Sequence, residues 1–236
     1  MQDWTGTIYL GAEWALFVGQ GGATPLHRHL AHKLVMGLDG ELEVNWASGE
    51  RRHGRIALVK AGSLHRVTAP GRRIGLYYAD AGAFAHSGLP ASRQLRELFR
   101  LCRRLDLGAG EAPTVVQQLQ PDMQEAADAR VLKAVDALRR DQDLALPMMA
   151  PRAGVSPRRL RQLFSASVGG TPVRYRRWWR LRLAAQQLAQ GERIVDAALA
   201  AGFADAAHLT RTFVEMLGIT PGVFQASRLI VLDELA

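Results

Sequence analysis

The stretch Ile194-Val195-Asp196-Ala197-Ala198-Leu199-Ala200-Ala201-Gly202-Phe203 decides how the second half of this chain folds. It runs on into Leu209-x3-Phe213-x4-Gly218-x-Thr220-Pro221-x2-Phe224. A small residue at Ala198 lets two helices approach closely. Gly202 then ends the first helix in the left-handed conformation that glycine adopts without strain. Asp205 is a good cap for a second helix, and Leu209 and Phe213 share its inner face. The same grammar occurs earlier, as Ala150-x3-Gly154, Leu160-x3-Phe164-x4-Gly169 and Thr171-Pro172-x2-Tyr175. The offset is 48 residues up to the first glycine and 49 afterwards, so the extra residue falls in the turn. Two copies are too few for a solenoid, which needs about three. Each reads as a helix-turn-helix, with Val155 and Ser156 in the places of Phe203 and Asp205. That arrangement sets a recognition helix into a DNA major groove.

The charge pattern points the same way. The 236 residues carry a formal net charge of +8, with a pI near 10.5. From Arg152 to Arg182 there are nine arginines and no acid. A basic stripe on a doubled helix-turn-helix implies double-stranded DNA as a partner. Tyr175, Trp178, Trp179, Leu183 and Gln186 mark a longer helix that starts after Thr171-Pro172 and joins the two motifs. Trp178 and Trp179 are expected in the core between the motifs, not stacked on bases. Pro151 is expected to kink or loosen the first helix of the first motif.

The first half reads as β structure. Glycines recur at turn-like intervals, and short alternating runs lie between them, such as Leu42, Val44, Trp46 and Ile74, Leu76, Tyr78. Many short strands of this kind make a small sandwich or barrel. Between the halves, Ser92 caps a helix with Leu95, Leu98, Phe99, Cys102 and Leu105 on one face, ended by Gly108-Ala109-Gly110. A Gln-rich stretch between Pro113 and Pro121 reads as a second linker helix or a tether. The division is residues 1–88, 89–125 and 126–236, an α+β two-domain chain.

Residues 126–227 resemble the DNA-binding domain of AraC-family bacterial transcription regulators. The second copy carries most of the likeness, together with Arg180-Leu181-x2-Ala184-x3-Leu188 in the joining helix. The resemblance implies that Arg158, Arg161 and Gln162 of the first recognition helix approach DNA. From the second it implies Ala206, Ala207, His208, Thr210 and Arg211. Arg158, Arg161 and Gln162 fall on one helix face, where arginine can read guanine and glutamine adenine. Only His208, Thr210 and Arg211 have polar reach in the second helix, which predicts a weaker base code there. Arg174 and Arg176 are expected as phosphate contacts.

The first half resembles the cupin barrel that many such regulators use as a sensor. Gly21-x5-His27-x-His29-x3-Lys33-x6-Gly40 and Gly54-x5-Lys60-x-Gly62-x2-His65-x3-Ala69 keep the spacing of the two cupin motifs. Lys33 stands where the first motif has glutamate. His27, His29 and Lys33 would share one strand face, His32 would point the other way, and His65 would converge from a later strand. Three chemistries compete for this cluster. It is a divalent-metal site of His27, His29 and His65, a metal-free pocket in which Lys33 and the histidines bind an anionic effector, or a structural histidine cluster. A cupin oxygenase or isomerase is the enzymatic alternative. It is disfavoured because neither histidine motif has an acid at a ligand position to complete a two-His-one-carboxylate set, Lys33 standing where the glutamate would be.

The reading is a non-enzymatic, effector-controlled transcription regulator. RNA polymerase and a second copy of the chain are further partners it allows, with the helix near Leu95–Leu105 as the candidate dimerisation or relay element. One DNA domain with two motifs can span successive major grooves, about 34 Å apart, so pairing is not forced. A single cysteine, Cys102, precludes an internal disulfide, and no apolar run approaches the ~20 residues of a membrane helix. Met1-Gln2-Asp3-Trp4 does not begin a signal peptide. The expected location is the cytoplasm, with no membrane partner.

Overall fold

A computed structural model describes residues 4–82, 92–107 and 128–233. The Gln-rich stretch and the glycines expected to end the linker helix lie outside the described residues. Eight strands come first: β1 (Thr5–Leu10), β2 (Trp14–Gln20), β3 (Ala31–Gly37), β4 (Leu42–Trp46), β5 (Arg51–Gly54), β6 (Ile56–Val59), β7 (His65–Thr68) and β8 (Arg73–Asp80). A linker helix α1 (Ser92–Asp106) follows. The helical region holds α2 (Ala129–Arg140), α3 (Leu146–Arg152), α4 (Pro157–Val168), α5 (Pro172–Ala189), α6 (Ile194–Ala200), α7 (Ala206–Leu217) and α8 (Pro221–Ala226). A last strand, β9, spans Arg228–Val231.

The strands form two sheets, in the orders β6-β3-β8-β2-β1-β9 and β5-β4-β7. Isolated bridges, Ala23 to Thr68 and His27 to His65, tie extended chain to the smaller sheet. The expected barrel is therefore an open pair of facing sheets. Alternation decides which side chains go where. Phe17, Val35, Ile74 and Leu76 face the smaller sheet and pack with Val44 and Val67. Leu16, Val18, Leu34, Met36 and Tyr77 face the other way. Every residue of β3 is buried because both faces of the large sheet are covered.

The cover on that outer face is α1. Leu98, Leu101 and Cys102 are buried there, and Leu95, Phe99 and Leu105 pack beside them. Arg73 of β8 fixes the end of the helix through Asp106. This changes the expectation for α1. Its apolar face is spent on its own sheet and is not available to a second copy. Its exposed side carries Arg93, Arg96, Arg100, Arg103 and Arg104.

The helical region follows the doubled pattern. Ser156 and Asp205 cap α4 and α7 by accepting from Arg159 and His208 backbone N–H groups. Thr171 and Thr220 do the same for α5 and α8, each with proline in the first turn. Gly154 and Gly202 take positive φ, 68° and 77°. Leu160, Phe164, Leu209 and Phe213 are fully buried. Pro151 lies near the end of a seven-residue helix, and Pro147 sits in its first turn.

The two regions are not separate along the sequence. β9 leaves the helical region and pairs in parallel with β1, Thr7 opposite Arg228 and Leu10 opposite Val231. The 126–236 boundary is therefore corrected at its end, since Arg228–Val231 belong to the sensor sheet. Its backbone groups complete the edge that β1 would otherwise leave open.

A buried carboxylate forms the main polar link. Asp80, at the end of β8, is 2% exposed. It accepts from Tyr175 Oη (2.9 Å), Trp178 Nε1 (2.9 Å) and Arg182 Nη1 (2.7 Å) of α5, and from the Gly82 N–H (2.7 Å). Arg139 of α2 stands 3.4 Å away and bonds Glu13 at 2.8 Å. Burial pushes the Asp80 carboxyl up, but Arg182, Arg139 and the Trp178 and Tyr175 donors outweigh it and hold it below its ordinary value of 3.8. The stability this supplies is present above that value and is lost as pH falls through the lower folded value. Asp80→Ala should cost about 3–5 kcal/mol at neutral pH, because it strands two arginines. Urea unfolding at pH 7 and at acid pH checks this, and the gap between parent and variant should shrink on acidification.

Candidate functional site

Two surfaces carry chemistry, and of the second helices of the two motifs only α7, through Leu217, lines the first of them. A cavity of about 1120 Å³, counted to its open mouth, lies between the sheets and the helical region. Ile8, Phe17, Leu76 and Tyr78 supply one wall. Trp178, Leu181, Ala185, Leu217, Ile219 and Phe224 supply the other. Lys33 and His27 lie at its polar end. Both tryptophans are buried, as expected, and each has a further contact. Trp178 faces the sensor and the cavity, and Trp179 is buried with Arg139 and Arg182 over its ring at 4.6 and 5.1 Å.

The histidines converge as their spacing predicts. His27 and His29 come from extended chain just before β3, and His65 begins β7. One ligand atom from each lies within 4.8 Å of the others. Each ring has its Nδ1 against a backbone carbonyl: Pro25 at 3.0 Å, Ala31 at 2.8 Å and Ser63 at 2.9 Å. A carbonyl only accepts, so each Nδ1 carries the hydrogen and each Nε2 presents a lone pair. Nε2 of His29 and of His65 are buried and unpaired. His32 points away, as expected, and its Nδ1 accepts from the Ala61 N–H. Burial first, then the charge of Lys33, pushes His27 down to about 3 and His65 down to about 2. His29 is held well below its ordinary value for the same reasons. All three are neutral at physiological pH.

Lys33 is 1% exposed in the middle of β3. Its Nζ lies 3.3 Å from His27 Nε2 and 5.5 Å from the centre of the Tyr78 ring. Burial pushes it down to about 7. It makes no ion pair with a carboxylate among the described residues. The three imidazoles have the tautomers a divalent ion requires, but the amino group at their mouth does not fit such an ion. It does fit an anionic head group entering from a cavity that is largely apolar, with Glu13, Asp80 and Arg182 as further charged residues of its lining.

The second surface is the outward side of the recognition helices. Arg158, Arg161 and Gln162 of α4 are exposed, together with Arg152 and Arg159. Arg211 of α7 is exposed too. The rest of the α7 set is more occupied. The Thr210 hydroxyl donates to the Ala206 carbonyl at 2.8 Å, and His208 lies edge-on to Phe203 at 5.1 Å. Arg174 and Arg176, expected at phosphates, both have partners within the chain. Arg174 pairs with Glu215 at 3.2 Å, beside Arg177 at 2.7 Å. Arg176 donates to the Leu144 carbonyl at 2.7 Å. Arg180 pairs with Asp143, and Arg182 with Asp80. All five arginines of α5 are thus bound within the chain, whereas those on and just before α4 make no ion pair among the described residues.

The C-terminal ends of both recognition helices rest on the sensor. Gly169 ends α4 at φ 74° and abuts the Ala61-Gly62 turn. Gly218 ends α7 at the same φ and lies over His27, where a Cβ would come 3.0 Å from Nδ1 and 2.8 Å from Thr24 Cβ. The Arg28 N–H donates to the Glu215 carbonyl alongside, at 3.0 Å. Sequence reasoning missed Asp80, Arg139 and this docking. The available signal was an acid, Asp80, directly after the apolar run Ile74–Ala79 of β8.

Arg158→Ala should relax base preference at one operator position with the fold unchanged, and a binding-site selection on parent and variant measures it. The expected loss of discrimination is about 1–3 kcal/mol. Gly218→Ala should destabilise by about 1–2 kcal/mol from left-handed strain alone, with the contact at His27 adding to it. Thermal unfolding would show this as a lowered midpoint, whereas Gly191→Ala, whose added Cβ meets open space, should lose only the strain part.

A family model described as a helix-turn-helix domain matches residues 149–227. The regulatory protein Ada of Salmonella typhimurium is 32% identical over 149 residues, covering 61% of this chain and 42% of that protein. A protein described as an AraC-like transcription regulator, from Streptomyces lividans, is 33% identical over 102 residues, covering 42% of this chain and 34% of that one. The chain therefore spans under half the length of the curated relatives it matches. Among solved structures, an apo variant of ToxT from Vibrio cholerae aligns with a TM-score of 0.65 at 9% identity, over 90% of this chain and 97% of that one. ToxT has also been solved bound to an unsaturated fatty acid, and that form aligns at 0.59 and 10% identity, over 95% of each chain. ToxT shares the two-part fold of this chain, and residues 149–227 match a helix-turn-helix domain.

Proposed function

We propose that this protein is a DNA-binding transcription regulator, not an enzyme, controlled by an apolar effector with one anionic head. The observation that carries the proposal is a cavity walled by both regions, with a buried lysine at one end that meets His27 and makes no ion pair among the described residues. An effector there touches β1, β2 and β8 on one side and α5, α7 and α8 on the other. It therefore has different contacts when the helical region is docked and when it is displaced. Only such differential contact lets a ligand shift an equilibrium between two arrangements. The α4 arginines and Arg211 read the operator, and the docked caps set how the two helices are held relative to each other. Binding of a fatty acid to ToxT supports a long-chain carboxylate as the effector class. RNA polymerase is a further partner consistent with this role. No helix among the described residues is long and apolar enough to cross a membrane.

The metal reading rests on the histidine tautomers, and the Lys33 amino group opposes it. Oleate tests the favoured reading, with methyl oleate as its uncharged counterpart. By calorimetry on the full chain, oleate should bind more tightly than the ester. Lys33→Met should lose most of that difference, roughly tenfold or more in affinity, which corresponds to about 1.4 kcal/mol. Equal binding of oleate by parent and Lys33→Met would overturn the anchoring role.

A further inference from the structure

The three-histidine cluster and Lys33 belong to one device. Three rings have their Nδ1 hydrogens tied to the carbonyls of Pro25, Ala31 and Ser63. Their Nε2 lone pairs therefore cannot turn away without breaking a buried hydrogen bond. A cluster of lone pairs facing one another in a dry site needs something that bears hydrogens or positive charge at its centre. His29 Nε2 and His65 Nε2 have no partner of their own. Among the described residues the donor that meets the cluster is the Lys33 amino group, 3.3 Å from His27 Nε2. In either protonation state it carries hydrogens that imidazole lone pairs accept.

We propose that Lys33 takes, from within the chain, the place of the divalent ion that the three histidines are otherwise arranged to ligate. The cluster is then an intramolecular cradle for an amino group and not a metal centre. Four features support this together. The lysine is fully enclosed on a central strand, so its side chain has no route to solvent that avoids the cavity. Its amino group points at the cluster and not at a carboxylate. Gly218 packs against the Nδ1 side of His27, which helps hold that ring with its Nε2 turned toward the lysine. Finally, a bound ion of this kind keeps an open or carboxylate-filled fourth position, and here that position is met by a donor, not a ligand. The cradle also aims the remaining amine hydrogens, and so serves whatever polar group enters the cavity. The inference does not depend on the DNA-binding reading or on the effector being a carboxylate.

Cobalt(II) alone is the probe, because four-coordinate cobalt with nitrogen ligands has visible bands that report its geometry. The full, untagged chain, stripped of metal, is titrated with Co²⁺ as parent, K33E, K33M and K33E/H65A. The parent should show no stoichiometric band. K33E should bind one Co²⁺ per chain, because it restores a carboxylate fourth ligand. K33M, which removes the competing donor and adds no ligand, should also gain binding but more weakly. K33E/H65A should lose it, by about tenfold or more in affinity. A parent that binds one Co²⁺ with a band abolished by His65→Ala would overturn the proposal. So would K33E and K33M that keep the parent's circular dichroism and thermal transition yet take up no cobalt. The parent titration alone decides the matter if a variant does not fold, and operator binding is scored separately in each protein.

Discussion

A carboxylate sealed from water must be paired or it neutralises, and Asp80 is paired across the whole molecule. Its partners come from two helices that the chain reaches only after some sixty to a hundred further residues. The cost of leaving Asp80, Arg139 or Arg182 alone in a dry interface holds the helical region in one orientation on the sensor. Hydrophobic contact alone would tolerate sliding. Directional bonds from Tyr175, Trp178 and Arg182 do not. The cavity, the docked caps and the added strand β9 all follow from that orientation.

Once α5 is fixed by Asp80, the internal repeat acquires a second meaning. Its cap glycines were required by helix geometry, and the sensor also uses them as footholds. Gly169 meets the Ala61-Gly62 turn, and Gly218 meets the histidine cluster. The repeat is symmetric in its caps and asymmetric in what they touch. The first motif rests on a turn, and the second rests on the polar end of the cavity. A molecule that enters the cavity therefore meets the second motif directly and the first only through α5. Arg158, Arg161, Gln162 and Arg211 on the two helices remain exposed, so the β-rich region grips the motifs from behind.

Much of the fold could be read from single residues. Paired Thr-Pro and Ser or Asp caps, alternation in β8 and glycines with positive φ are local rules, and the structure follows them. The histidine cluster was equally legible, because motif spacing on extended chain fixes side-chain direction. The arginines were not. Nine acid-free arginines read as one basic stripe, yet five of them on α5 meet Glu215, Leu144, Asp143 and Asp80. The acids lie far away in sequence, so no local window could pair them. The face of α1 misled for a related reason: an apolar stripe reveals that a helix is covered and not by what.

The sequence by itself determined two helix-turn-helix units, a β-rich sensor, and three histidines with a lysine converging on one face. These depend on periodicity and caps, which act over a few residues. Only the tertiary structure decided that the last strand returns to the sensor sheet. Only it showed that both regions wall one cavity, and that the lysine amine meets an imidazole lone pair. Each of those needs groups distant in the chain to share a dry space, where an unpaired charge or lone pair is costly enough to choose the arrangement.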